Sequence, residues 1–154
     1  MIITDSIEIK APPDRIFGFF TDLKDDASYK AWHPDHVVMH WIKGEPFQEG
    51  SVAYFEEYLH GKIHKGKFIC TKVVPSRLIE YRPPFPLSVF FPKNRFIIEP
   101  TDEGSCIFTA TGSMRIGPLG KRLSRKQIEG VKRHMKEEGE NLKAILEKGE
   151  IGKQ

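Results

Sequence analysis

Cysteine is scarce in this chain: Cys70 and Cys106 are the only two among 154 residues, far apart and without a CxxC pair. That excludes a cysteine zinc ribbon and a disulfide scaffold. A reduced, cytoplasmic protein is expected. Long apolar runs are also lacking, and no stretch approaches the ~20 residues of a membrane span. Met1 to Ser6 carries neither a basic n-region nor a long apolar h-region, so no signal peptide is visible. Charge of one sign is in small supply, with a net value of +3. Its excess lies in Lys121, Arg122, Arg125, Lys126, Lys132, Arg133 and Lys136, within one expected helix. No recognition motif or stacking aromatics accompany that run, which reads as a solvated helix face. Neither nucleic acid nor a membrane is expected as a partner, and nothing in the chain speaks to oligomeric state. Repeats and low-complexity tracts are absent.

What is present is a globular balance of 39% hydrophobic and 29% charged residues, at a length that suits one domain. Residues 2–10 alternate, with Ile3, Ile7 and Ile9 on one face, and read as a strand. Pro12-Pro13 ends it, and Asp14 opens a short amphipathic helix carrying Ile16, Phe17, Phe19 and Phe20. A second short helix or turn is expected over 24–31. Six β-rich runs follow, 36–43, 51–60, 62–74, 77–82, 94–99 and 105–114, split by Gly44, Gly50, Gly61, Pro75, the Pro83–Pro92 loop and Gly104. The segment 119–148 reads as one long helix, and 149–154 as a frayed tail. This order predicts an α+β fold, with a curved antiparallel sheet of about seven strands around the last helix and two short helices after the first strand. Residues 1–148 form its single domain. The entry Ala11-Pro12-Pro13-Asp14-Arg15-Ile16-Phe17 resembles the opening of the START-like, polyketide-cyclase-type helix-grip superfamily. That resemblance implies a hydrophobic cavity between the sheet and the last helix.

Polar groups occur where a core is expected. On the last helix, Leu123, Val131, Met135, Leu142, Ile145 and Leu146 fall on one stripe at ~100° per residue. His134 and Glu138 lie within it, stacked by their i, i+4 spacing as helical metal ligands are. Glu137, Arg133 and Glu140 fall on the far, solvated face. A carboxylate aimed at a core is costly unless paired or bound to a cation. The plain alternative is that Glu138 pairs with a nearby Lys or with His134. In the strand Ala53-Tyr54-Phe55-Glu56-Glu57-Tyr58-Leu59, Glu57 shares the apolar face of Phe55 and Leu59. Glu56 lies with Tyr54, Tyr58 and His60 on a wetter face, and a one-residue slip would exchange the two. The turn Trp32-His33-Pro34-Asp35-His36 can present an imidazole inward, with Asp35 orienting it. His40, His60 and His64 read as surface residues. Two histidines and two carboxylates suit a mononuclear zinc site, or one for iron(II) or manganese, with room for water.

The segment His134-Met135-Lys136-Glu137-Glu138-Gly139-Glu140-Asn141-Leu142-Lys143, the Trp-His-Pro-Asp-His turn and the Glu56-Glu57-Tyr58 strand resemble the diacetylphloroglucinol and phloretin hydrolases. The resemblance implies a helix-grip fold and a zinc ion, held by two His and two Glu, that serves hydrolysis of a carbon–carbon bond in acylphenols. Matched residue by residue, it implies His36 (or His33), Glu57, His134 and Glu138 as metal ligands. This chain is shorter than those hydrolases, as is its interval between the first His and the strand Glu. Two functions are therefore expected to compete. One is a zinc-dependent hydrolase of a small aromatic, acylphenol-like ketone, with Tyr54 or Tyr58 as proton donor. The other is a non-catalytic binder of a small hydrophobic molecule. In either, the aromatic and proline-rich stretch from Tyr81 to Leu87, with Phe90-Phe91-Pro92, can form a lip for an aromatic ligand.

Overall fold

The computed structural model describes residues 1–115 and 125–151. Strands β1 (Ile2–Ile9), β2 (His36–Lys43), β3 (Val52–Leu59), β4 (Lys62–Val74), β5 (Leu78–Arg82), β6 (Asn94–Pro100) and β7 (Cys106–Ser113) form one sheet. Its order is β1-β7-β6-β5-β4-β3-β2, every pair antiparallel. Helices α1 (Pro13–Thr21) and α2 (Asp26–Trp32) carry the chain from one sheet edge to the other, and α3 (Arg125–Ile151) packs against the sheet and α2. This is the expected α+β helix-grip arrangement.

Local chemistry explains the connections. Pro13 stands in the first turn of α1, where its missing N–H costs nothing, and Ile16 and Phe20 form its buried i, i+4 pair. Phe20 then stacks on Phe96 with centroids 4.8 Å apart, at the centre of the core. A capping box opens α2: the Asp25 carboxylate accepts from the Ser28 N–H, while Ser28 Oγ accepts from the Asp25 N–H. The β3–β4 hairpin turns through His60 and Gly61, both at positive φ, as a two-residue turn with right-handed strand twist requires.

Two expectations about the last helix need correction. It continues to Ile151 rather than fraying after 148, helped by the Lys143–Glu147 pair and by Lys148 in its last turn. Ile145 is 36% exposed because the stripe is set by the buried Leu142 and Leu146, which leaves Ile145 at its edge. Leu123, Lys121, Arg122 and the expected helical residues 119–124 lie outside the described residues.

Candidate functional site

Three elements meet at one end of the sheet's inner face. On β3, Phe55, Glu57 and Leu59 face a cavity of about 800 Å³, as strand alternation requires. Glu56 takes the other side, where its carboxylate accepts from the Tyr54 hydroxyl at 2.8 Å. On α3, His134 and Glu138 turn toward Glu57 and border the same cavity. On β2, His36 is the register partner of Glu57, and an extra residue at Val37 separates that pair from Val38 opposite Glu56. This bulge lets His36 and Met39 both face inward despite their odd spacing.

The four side chains converge. His36 Nε2 lies 2.9 Å from Glu138 Oε2, 3.6 Å from Glu57 Oε2 and 3.3 Å from His134 Nε2. His134 Nε2 lies 3.4 Å from Glu57 Oε2 and 3.3 Å from Glu138 Oε2. All four donor atoms fall within 4.8 Å of one another. Both carboxylate side chains are only 16% exposed.

Neighbours fix the quartet's orientation. His36 Nδ1–H donates to the Tyr29 carbonyl at 3.0 Å, which leaves Nε2 for the quartet. The Tyr29 hydroxyl donates to Glu57 Oε2 at 2.8 Å. Trp32 Nε1–H donates to the Glu138 carbonyl at 3.0 Å, and the Asn141 amide returns a bond to the Trp32 carbonyl, so α2 and α3 hold each other.

Protonation follows from this packing. Burial alone disfavours an imidazolium at His134, but hydrogen bonds and charge from Glu138 and Glu57 outweigh it and push its pKa up to about 10. Burial likewise disfavours the Glu138 carboxylate, yet His134 and His36 pull its pKa down to about 2. Tyr29 is driven far above the usual phenol range, first by burial and then by the Glu57 and Glu138 charges. Without a cation, a proton on His134 holds the two carboxylates together.

Of the site residues expected from sequence, His36, Glu57, His134 and Glu138 are brought together. His33 stays outside the quartet. Its Nδ1 accepts the Asp35 backbone N–H at 2.9 Å, and its Nε2 donates toward Glu137 Oε1 at 3.4 Å. Asp35 thus orients His33 through its N–H, its carboxylate being 3.9 Å away. Glu137, expected on a solvated face, is only half exposed because it reaches back to His33. His33, Asp35 and His134 make a second close group, and His134 Nδ1 is buried with no hydrogen-bond partner among the described residues.

The expectation for Tyr54 and Tyr58 as proton donors is corrected. Both sit at even positions of β3, opposite in face to Glu57; Tyr54 is tied to Glu56 and Tyr58 is 44% exposed. The phenol at the site is Tyr29, which sequence reasoning missed. Of the expected lip, Tyr81, Pro83, Leu87 and Phe91 line the cavity, whereas Phe85 and Phe90 are exposed. A smaller cavity of about 180 Å³ reaches the same carboxylates from the side of β1 and β7.

A sheet gripping one long helix around a cavity places the protein in the helix-grip class. Residues 1–147 match the family described as Polyketide cyclase / dehydrase and lipid transport, and the chain belongs to that family. No curated protein matches it in sequence. Its fold is similar to that of the Zhui aromatase/cyclase from Streptomyces sp. R1128, at 13% identity and TM-score 0.73, over 96% of this chain and 93% of that one. It is similar to a norcoclaurine synthase point mutant from Thalictrum flavum, at 12% identity and TM-score 0.77, over 97% and 96%. The protein TTHA0849 from Thermus thermophilus matches at 14% identity and TM-score 0.74, over 97% and 99%. Among the described residues, no helix is long and apolar enough to cross a membrane.

Proposed function

We propose that this protein binds a small hydrophobic, aromatic ketone in its cavity beside a divalent cation held by His36, Glu57, His134 and Glu138, and hydrolyses it. The observation that carries this reading is the spacing of the donor atoms. Bonds of 2.0–2.2 Å to a tetrahedral zinc put its ligand atoms ~3.3 Å apart. Five of the six quartet separations run from 2.9 to 3.6 Å, and the sixth, between the two carboxylates, is within 4.8 Å. Zinc suits this mixed imidazole and carboxylate set, and iron(II) or manganese is the alternative.

When bound, such a cation supplies Lewis-acid polarisation of a carbonyl and acidifies water. Glu57, His134 and Glu138 border the cavity, so a ligand in it would lie against the residues that would hold the cation. Trp32, Phe55, Phe68, Tyr81 and Phe96 surround that ligand with aromatic surface. Tyr29 holds Glu57 and His36 in place. In the hydrolysis of an acylphenol, the hydroxyl of water ends on the acyl carbon and its proton on the ring carbon. Two buried free thiols, Cys70 and Cys106, fit a reducing, cytoplasmic setting.

The comparisons with known proteins back a second reading better than this one. The family's description and the aromatase/cyclase likeness favour a binder or cyclase of a hydrophobic molecule that uses the cavity without a metal. Elemental analysis of dialysed protein, with and without added zinc, separates the two, followed by an assay of phloretin cleavage. The metal reading expects about one zinc per chain and cleavage that a chelator abolishes. A chain that stays metal-free under zinc leaves the second reading in possession of the cavity.

A further inference from the structure

The cavity is electrically asymmetric. Among the described residues, its only acidic lining groups are Glu57 and Glu138, both in the quartet. Toward the rim it is bordered by Lys62 and Lys126, while Lys65 and Lys67, which also border it, pair in register with Glu56 and Tyr54 on the outer face. Lys62 is the cross-strand partner of Leu59, so it shares the inner face of Leu59 and Glu57. The Leu59–Lys62 pair lies two positions beyond Glu57, ~7 Å along the strand at ~3.3 Å per residue. Lys126 stands on α3 before His134, ~12 Å away along the helix at ~1.5 Å per residue. Among the described residues, the ion pairs made by lysines belong to Lys93 and Lys143, so these rim ammonium groups have no carboxylate partner.

We propose that the ligand is an amphipathic anion: an aromatic body whose carbonyl lies at the quartet and whose carboxylate, phosphate or sulfonate end lies at the lysine rim. This rests on the reading of the cavity as a hydrophobic-ligand site and fixes the polarity of what enters it. The quartet's own carboxylates offset any positive charge held among them, so the inner end offers no counter-charge to an anionic group, while the unpaired ammonium groups of Lys62 and Lys126 at the rim attract it. Field lines focused by the apolar walls draw such a ligand in and orient it before contact. The lysine stems extend the apolar wall outward, so the charged end stays partly hydrated.

Two fluorescent probes with the same aromatic body test this: neutral phenylnaphthylamine and anionic anilinonaphthalenesulfonate, titrated into the purified full chain. The expected result is one site per chain for both, mutual competition, and affinity about fivefold higher for the anion at low salt. That advantage disappears in the Lys62→Gln, Lys126→Gln double variant and in ~0.5 M salt, while the neutral probe is unaffected. Equal affinities, or a double variant that weakens both probes alike, overturn the proposal and leave the cavity reading intact. If the neutral probe does not bind, the cavity reading fails and takes this one with it.

Discussion

The ring of Tyr29 lies against the imidazole of His36, with centroids 3.8 Å apart and planes within 6° of parallel. The same residue accepts from His36 Nδ1 through its carbonyl and donates its hydroxyl to Glu57. One residue on α2 therefore orients two members of the quartet, His36 on β2 through its backbone carbonyl and ring face, and Glu57 on β3 through its hydroxyl.

Removing that hydroxyl tests the orienting role. Outer partners of metal ligands are worth 10–100-fold in affinity. Tyr29→Phe keeps the stacked ring and is expected to lower zinc affinity about tenfold with little change in fold. Chelator competition measures the affinity, and circular dichroism checks the fold. Unchanged affinity would show that Glu57 needs no help from Tyr29.

Replacing the helical pair tests the quartet itself. His134→Leu with Glu138→Leu continues the apolar stripe of Leu142 and Leu146. Exchanging a buried polar pair for hydrophobes is often neutral or stabilising. The double variant is expected to melt no lower than the metal-free parent and to show no rise with zinc. In the parent, zinc at a hundredfold excess over Kd adds ~2.7 kcal/mol. Glu137→Gln, outside the quartet, should retain the zinc-dependent rise in melting temperature.

The metal-free protein should show a defined pH profile. His134 has a folded pKa raised to about 10, above its ordinary 6.5. Its contribution is fully present below pH 6.5 and is lost as pH rises through about 10. Glu138 has a folded pKa lowered to about 2, below its ordinary 4.5, so its contribution is present above 4.5 and lost as pH falls through about 2. Melting temperature without metal should therefore peak between pH 4.5 and 6.5. Zinc needs His134 without its proton, so zinc affinity should climb by about tenfold per pH unit above that window. Calorimetry in buffers of different ionisation enthalpy reads the released proton, and a pH-independent affinity would contradict this account.

The sheet and the helical pair were legible because each rests on a single period. Alternation separates Glu57 from Glu56, and the 100° step puts His134 and Glu138 on one face. Alternation also placed Tyr54 and Tyr58 away from Glu57, so their assignment as proton donors conflicted with the same rule. His36 is different. Strict alternation pairs it with Val38 and His40 on the outer face, and only the bulge at Val37 turns it inward. Nothing in a hydrophobic pattern marks a bulge. Tyr29 was hidden for a related reason, since its partners lie on β2 and β3 and sequence spacing carries no information about them.

Gly130 offers a last test, at the contact between the β3–β4 hairpin and α3. A Cβ added there would collide with the ring of His60, whose Nε2 donates to the Gln127 carbonyl at 3.3 Å. Glycine costs an exposed helix interior ~1 kcal/mol relative to alanine. In a His60→Ala background, Gly130→Ala should therefore stabilise the protein by about 1 kcal/mol. In the parent the gain should be smaller, because the new methyl must displace the ring, though an exposed side chain moves cheaply. The difference between the two backgrounds is the coupling energy of the contact. Hydrogen exchange at the hairpin tip should rise in the single Gly130→Ala variant, as His60 loses its seat on the helix. Equal stabilisation in both backgrounds, with unchanged exchange, would mean that His60 does not hold the hairpin to α3.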